Sequence, residues 1–182
     1  GLKKIVSFSK QLGIYDNPSE LLSISLGSAE TTLLKLTSAY CSFVNGGKLV
    51  KPIMIDRIQD SEGNTIFNNE KRKCTNCSQV SHLSENYPVI EDDFNQIFSA
   101  ETAYQMTSIL EGVIQNGTGR KLKDLNLDLG GKTGTTNANT DTWFVGFTSK
   151  LAIGVYVGSD KPKSLGKRET GAKTALPVFK SF

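Results

Sequence analysis

Residues 142–148 and 151–159 are two strand-like runs separated by nothing but Ser149-Lys150. No other feature constrains the fold as much. Parallel strands need a crossover of a dozen or more residues, so a two-residue connection leaves only an antiparallel hairpin. A third strand-like run, residues 129–136, precedes them across a short polar link. The first 45 residues read as helical. There Leu33, Leu36, Tyr40, Phe43 and Val44 recur at spacings of three and four until Asn45-Gly46-Gly47 stops the pattern. Ser99 is placed to cap a second helix with Ala103, Met106, Leu110 and Val113 along one face and Gly117-Thr118-Gly119 at its end. Residues 171–182 suggest a closing helix, which Pro177 permits only near the first turn. Helices followed by an antiparallel sheet make the class α+β.

Between the two helical regions, Ile53-Met54-Ile55-Asp56-Arg57-Ile58 and Thr65-Ile66-Phe67 flank Asp60-Ser61-Glu62-Gly63-Asn64, the pattern of a hairpin with a glycine-containing loop. Residues 68–95 then turn polar and irregular and read as an inserted surface loop. A chain of 182 residues with 37% hydrophobic and 21% charged residues has the size and composition of one globular domain with a real core. Its net charge of +3 is dispersed, so the basic footprint of a nucleic-acid module is weak and no nucleic-acid binding is expected. The longest strongly apolar stretch, residues 151–158, falls far short of the roughly 18 residues of a membrane span. Cys74-Thr75-Asn76-Cys77, with His82 nearby, allows two readings. A zinc site would have at most three ligands and no second C-x-x-C, so an oxidised or simply exposed loop pair is favoured. Cys41 lies among core positions and is expected to be inert.

The chemistry is concentrated in Gly130-Gly131-Lys132-Thr133-Gly134-Thr135-Thr136. A phosphate-binding loop would need a glycine where Asn126 stands, and it would have to open a helix. Residues 134–140 are instead rich in poor helix formers and lead into strand-like Trp143-Phe144-Val145. As a strand, the segment has Thr133 and Thr135 on one face and Lys132, Gly134 and Thr136 on the other. Gly134 leaves room for another backbone to approach, as when an extended peptide adds itself to a sheet edge. Two hydroxyls and a lysine make a site for a carboxylate. The plainer alternative is a threonine-rich strand with a lysine lying along its surface.

Lys132-Thr133-Gly134 matches the third of the elements S-x-x-K, S-D-N and K-T-G found in penicillin-binding proteins and class A β-lactamases. Around it stand Ser25-Leu26-Gly27-Ser28-Ala29-Glu30-Thr31-Thr32, Ala39-Tyr40, Asn45-Gly46-Gly47, Lys51-Pro52, Gln115-Asn116-Gly117-Thr118-Gly119, Thr142-Trp143-Phe144-Val145-Gly146-Phe147-Thr148 and Gly154-Val155-Tyr156-Val157-Gly158. In order and spacing they resemble the C-terminal half of the transpeptidase domain of class A, bifunctional penicillin-binding proteins, along nearly the whole chain apart from the polar insert. The resemblance implies part of the penicillin-binding protein/serine β-lactamase transpeptidase fold, an antiparallel sheet flanked by helices and incomplete at its N-terminal side.

The activity it implies is a D,D-transpeptidase that cross-links peptidoglycan. A serine attacks the penultimate D-alanine carbonyl of a stem peptide, an amine of a neighbouring stem resolves the acyl-enzyme, and β-lactams acylate the same serine. By the same resemblance, Lys132 hydrogen-bonds near the serine of the second element and supplies positive potential. The Thr133 and Thr135 hydroxyls hold the donor peptide's carboxylate, and the Thr135 N–H is the second oxyanion donor. Gly134 and Thr136 complete the substrate-binding strand. Ser7-Phe8-Ser9-Lys10 fits S-x-x-K and Ser84-Glu85-Asn86 fits S-x-N, but residues 5–12 resemble the helix that follows the second element, and Ser84 lies in the insert. Both genuine elements are therefore expected before Gly1, leaving a piece without its nucleophile and inactive alone. Lysine-based activation fits a chain whose one histidine, His82, is also in the insert.

A β-lactamase or D,D-carboxypeptidase carries the same third element, and a non-catalytic piece could bind peptide along its strand edge. The partners implied are peptidoglycan stem peptides and β-lactams, with no cofactor, metal or nucleic acid. The location implied is the periplasmic face of a bacterial inner membrane, through an anchor and a glycosyltransferase domain preceding these residues.

Overall fold

A computed structural model of the chain describes residues 1–77, 87–91 and 94–182. In chain order the elements are α1 (Leu2–Gln11), α2 (Leu33–Val44), β1 (Arg57–Gln59), β2 (Thr65–Asn68), β3 (Cys74–Thr75), β4 (Val89–Ile90), α3 (Ala100–Asn116), β5 (Gly130–Thr135), β6 (Thr142–Phe147), β7 (Ala152–Val157) and α4 (Ala175–Ser181). Two 3₁₀ turns, Leu22–Leu26 and Arg120–Leu125, lie between them. The chain divides into two units, Gly1–Val50 with Gln96–Phe182 and, separately, Lys51–Asn95.

In the first unit β5, β6 and β7 form an antiparallel sheet in that order, as the short connections require. Central β6 is buried almost throughout, because helices cover both faces of the sheet. Phe144 lies on the face covered by α4, with its ring 4.8 Å from that of Phe179, and Ile114, Leu122, Leu129 and Leu176 complete this core. On the opposite face Phe147 meets Tyr40 of α2, with 6.5 Å between ring centres. Pro177 is the third residue of α4, within the first turn, where its missing N–H costs nothing.

Helix α3 begins where the sequence suggests, with the Ser99 hydroxyl accepting the Thr102 N–H at 3.3 Å. Ala103, Leu110 and Ile114 are its buried residues, while Met106 and Val113 are half-buried. The expectation of helix over the first 45 residues holds only for α1 and α2. Between them Gly13 (φ +71°) and Gly27 (φ +80°) take left-handed conformations that end regular helix. Thr32 then restarts it, its hydroxyl accepting the Lys35 N–H at 3.2 Å. Leu21, Leu22, Leu26 and Leu34 in this region are exposed. Among the described residues no helix is long and apolar enough to cross a membrane.

In the second unit β1 and β2 pair antiparallel, with an irregularity between Ile58 and Gln59. The first strand is shorter than its apolar run, starting at Arg57 rather than Ile53. The Asp60 carboxylate closes the loop by accepting the N–H groups of Glu62 and Asn64, at 2.9 and 2.8 Å. Gly63 (φ +87°) supplies the left-handed residue the turn needs. The stretch expected to be wholly irregular contains one further ladder, β3 with β4. Cys74 and Cys77 are disulfide-bonded, with Cα atoms 5.8 Å apart, which is the oxidised form of the pair. His82 and Ser84 lie outside the described residues. Cys41 is a half-buried free thiol whose pKa burial raises, in keeping with an unreactive side chain.

Candidate functional site: the open edge of β5

Strand β5 pairs with β6 on one side and, among the described residues, with no strand on the other. In an antiparallel ladder, residues whose N–H and C=O point at the partner alternate with residues whose groups point away. The Thr136 N–H donates to Asp141 O across the turn at 3.1 Å, which makes that position one that points inward. Counting back by one and by three, Thr135 and Thr133 turn their backbone N–H and C=O groups to the outer edge. The Lys132 ammonium agrees with this phase, donating to the outward Thr133 carbonyl at 2.8 Å.

The side chains follow the strand's period of two. Thr133 and Thr135 share a face, as the sequence predicts, and each hydroxyl is engaged by a residue outside the strand. The Thr133 and Thr118 hydroxyls are 2.9 Å apart, and the Gly171 N–H donates to Thr135 Oγ1 at 3.0 Å. Lys132 is exposed on the other face. Gly134 also faces that way, where an added Cβ would lie 3.1 Å from the Trp143 Cβ. The close backbone approach seen in the structure is on the opposite, threonine face. Gly171 lies so near that a Cβ built on it would stand 2.7 Å from Gly134 O and 3.3 Å from Gly134 N.

Thr136 falls one residue beyond β5, and its hydroxyl is committed to the turn. It accepts the N–H groups of Thr140 and Asp141, both at 3.0 Å, because the chain reverses within five residues and leaves those amides no ladder partner. Of the five residues expected to line the site, Lys132, Thr133, Gly134 and Thr135 therefore form one strand segment, with Lys132 and Thr135 exposed and Thr133 and Gly134 half-buried, while Thr136 shapes its end. Ser7, the residue that fits S-x-x-K, is exposed on α1, where Lys10 donates to Asn17 Oδ1 at 3.4 Å. Ser9 of the same run is buried and donates to Val6 O at 2.8 Å.

Two site residues have no assigned role in the sequence reading. Thr118 belongs to a Gly-Thr-Gly triplet that counts there as a helix end and as part of one family match, without a role in the site. Both flanking glycines donate their N–H to Val113 O, at 3.0 and 3.1 Å, which folds the triplet tightly over the end of α3 and delivers Thr118 to β5. Gly171 is 36 residues from Thr135, and no local pattern marks it.

Residues 7–182 match the family model of the penicillin binding protein transpeptidase domain. Penicillin-binding protein 1A of Rickettsia bellii is 44% identical over 185 residues, covering all of this chain and 23% of that protein. The protein of the same name from Neisseria lactamica is 40% identical, covering 91% of this chain and 19% of its own length. The chain thus spans about a quarter or less of the curated relatives it matches. The crystal structure of penicillin-binding protein 1A from Haemophilus influenzae superimposes with a TM-score of 0.77 at 29% identity, covering all of this chain and 31% of that one. The PonA1 protein of Mycobacterium tuberculosis, solved in complex with penicillin V, shares the fold at a TM-score of 0.73 and 21% identity. With this match over nearly its whole length, the chain belongs to the penicillin-binding protein transpeptidase domain family.

Proposed function

We propose that residues 1–182 form the strand-bearing part of a peptidoglycan D,D-transpeptidase domain, which binds the carboxylate end of a stem peptide and takes its nucleophilic serine and base from residues outside this chain. The observation that carries this reading is the open edge of β5, with the Thr133 and Thr135 hydroxyls on one face and the Thr135 N–H turned outward. A stem peptide laid along that edge makes main-chain hydrogen bonds as an added strand. Its terminal carboxylate is held by the two hydroxyls, and Lys132 contributes positive charge from the adjoining position. The Thr135 N–H then points at the carbonyl under attack. One such donor is worth about a hundredfold to a thousandfold in rate. A β-lactam presents a carboxylate and a strained carbonyl in a similar relation, so it occupies the same edge.

Membership of the family and the likeness to penicillin-binding proteins 1A support this chemistry over a β-lactamase or carboxypeptidase. In the same reading the whole protein is anchored in the inner membrane, faces the periplasm and carries a glycosyltransferase domain. The test is a titration of the ¹⁵N-labelled chain with diacetyl-L-lysyl-D-alanyl-D-alanine. Saturable shifts are expected at the Thr133, Gly134 and Thr135 amides, with loss of saturation in Lys132→Ala. Intact-mass analysis after incubation with benzylpenicillin is expected to show no adduct on this chain. Unperturbed β5 amides would reject the carboxylate site, and a stoichiometric adduct on a serine would reject an outside nucleophile.

A further inference from the structure

The two threonine hydroxyls of β5 are alike in one respect: each has a hydrogen-bond partner behind it that belongs to another part of the chain. At Thr135 the donor is a backbone N–H, that of Gly171 at 3.0 Å. An N–H can only donate, so Thr135 Oγ1 accepts and its own proton is left to point elsewhere. At Thr133 the neighbour is the Thr118 hydroxyl at 2.9 Å, and either oxygen could be the donor. A pair of hydroxyls holds two protons, and only one of them lies between the oxygens. The second is available to an acceptor outside the pair, and which hydroxyl supplies it depends on what that acceptor touches.

We propose that Thr118 is a positioning residue for the carboxylate site, donating its proton to Thr133 Oγ1 so that the Thr133 proton is presented to the ligand. This rests on the carboxylate-binding reading given above. A carboxylate accepts and cannot donate, so once it contacts Thr133 that hydroxyl must give its proton to the ligand. Its oxygen is then free to accept from Thr118, and the linked bonds polarise one another. Thr118 thus does for Thr133 what the Gly171 N–H does for Thr135. The Gly-Thr-Gly triplet suits this role because Gly117 and Gly119 both cap Val113 O, which fixes Thr118 between the end of α3 and the strand. A Cβ on Gly119 would stand 2.6 Å from Ile114 Cδ1 and 3.3 Å from Val113 O, so a bulkier residue there requires the Ile114 side chain or the triplet to shift.

The experiment compares the wild-type chain, Thr118→Val and Thr118→Ser in ¹⁵N titrations with diacetyl-L-lysyl-D-alanyl-D-alanine and with its C-terminal carboxamide. Valine keeps the shape and removes the hydroxyl, whereas serine keeps the hydroxyl. Thr118→Val is expected to weaken binding of the acid by about fivefold, the loss typical of one hydrogen bond between neutral groups. Binding of the carboxamide should change little, and Thr118→Ser should restore the preference for the acid. Equal weakening of acid and carboxamide in Thr118→Val would make the residue merely structural and overturn the proposal. So would wild-type affinity for the acid in Thr118→Val, or failure of the serine variant to recover it while retaining native amide dispersion. No saturable shift in the wild-type chain would reject the carboxylate site itself, a result distinct from the others, and the proposal with it.

Discussion

Gly171 shows how much a site can depend on one missing methyl group. Its N–H reaches Thr135 Oγ1 because its Cα lies almost against the Gly134 peptide. The atoms that an alanine Cβ would meet are backbone, which cannot rotate aside. Gly171→Ala is therefore expected to displace either the 170–174 turn or the end of β5, at a cost of about 1–3 kcal/mol, as for other overpacked positions. Urea unfolding should report the loss, and a shift of the Thr135 amide would show that the displacement reaches the site. Thr142 adds to the same region from beneath. It is fully buried yet satisfied, with its hydroxyl 2.6 Å from that of Thr174 and Val157 O accepting at 3.4 Å. A buried hydroxyl at this position is tolerated because both of its neighbours are polar.

At the scale of elements, α4 is held at both ends by different means. Its apolar side, Leu176 and Phe179, enters the core against β6, while Lys180 near its end reaches across to the 3₁₀ turn Arg120–Leu125. The Lys180 ammonium donates to both Asp124 carboxylate oxygens, at 2.8 and 2.6 Å, and to Lys121 O at 3.0 Å. The hydrogen bond from Lys180 is the main reason that the Asp124 pKa lies below the usual carboxylate value. A carboxylate whose pKa is lowered on folding stabilises the fold above its unfolded value, and that contribution disappears as pH falls through the folded value. The clasp is accordingly intact at neutral pH and opens on acidification below about pH 4. Protection of the amides in the last turn of α4, corrected for the intrinsic pH dependence of exchange, should fall over that range in the wild-type chain. Asp124→Asn should exchange faster already at neutral pH and lose this part of the acid dependence.

The first unit as a whole depends on a small core in which one residue occupies the centre. Phe144 is completely buried on the middle strand, stacked edge-on with Phe179 of α4 and clustered with Ile114 of α3 and Leu122 of the 3₁₀ turn that follows it. Phe144→Ala is expected to cost about 3–5 kcal/mol, a large share of the 5–15 kcal/mol typical of a whole domain. The midpoint of urea unfolding measures it, and because β6 carries β5, amide shifts at Thr133 and Thr135 should report the same event. Among its described residues the second unit has no comparable centre. Its strands are short and exposed on both faces, and the Cys74–Cys77 disulfide and the Asp60 loop supply local order.

The antiparallel sheet could be read from the sequence because the connection through Ser149-Lys150 is too short for any other arrangement, and α3 because Ser99 and the glycines after Asn116 bracket a clean apolar face. The placement of Thr133 and Thr135 on one face needed only the period of a strand. The first 45 residues were harder, since apolar spacing does not reveal that Gly13 and Gly27 adopt left-handed conformations. Tertiary structure alone decided that β5 is an edge strand, since pairing is chosen by contacts far apart in sequence. It also decided which groups stand behind the two hydroxyls. These, Thr118 and the Gly171 N–H, are 15 and 36 residues from their partners and meet them only when α3 and the 170–174 turn pack around the strand. Strand chemistry is local and can be read residue by residue, whereas the orientation of a hydroxyl proton depends on whatever the fold brings up behind it.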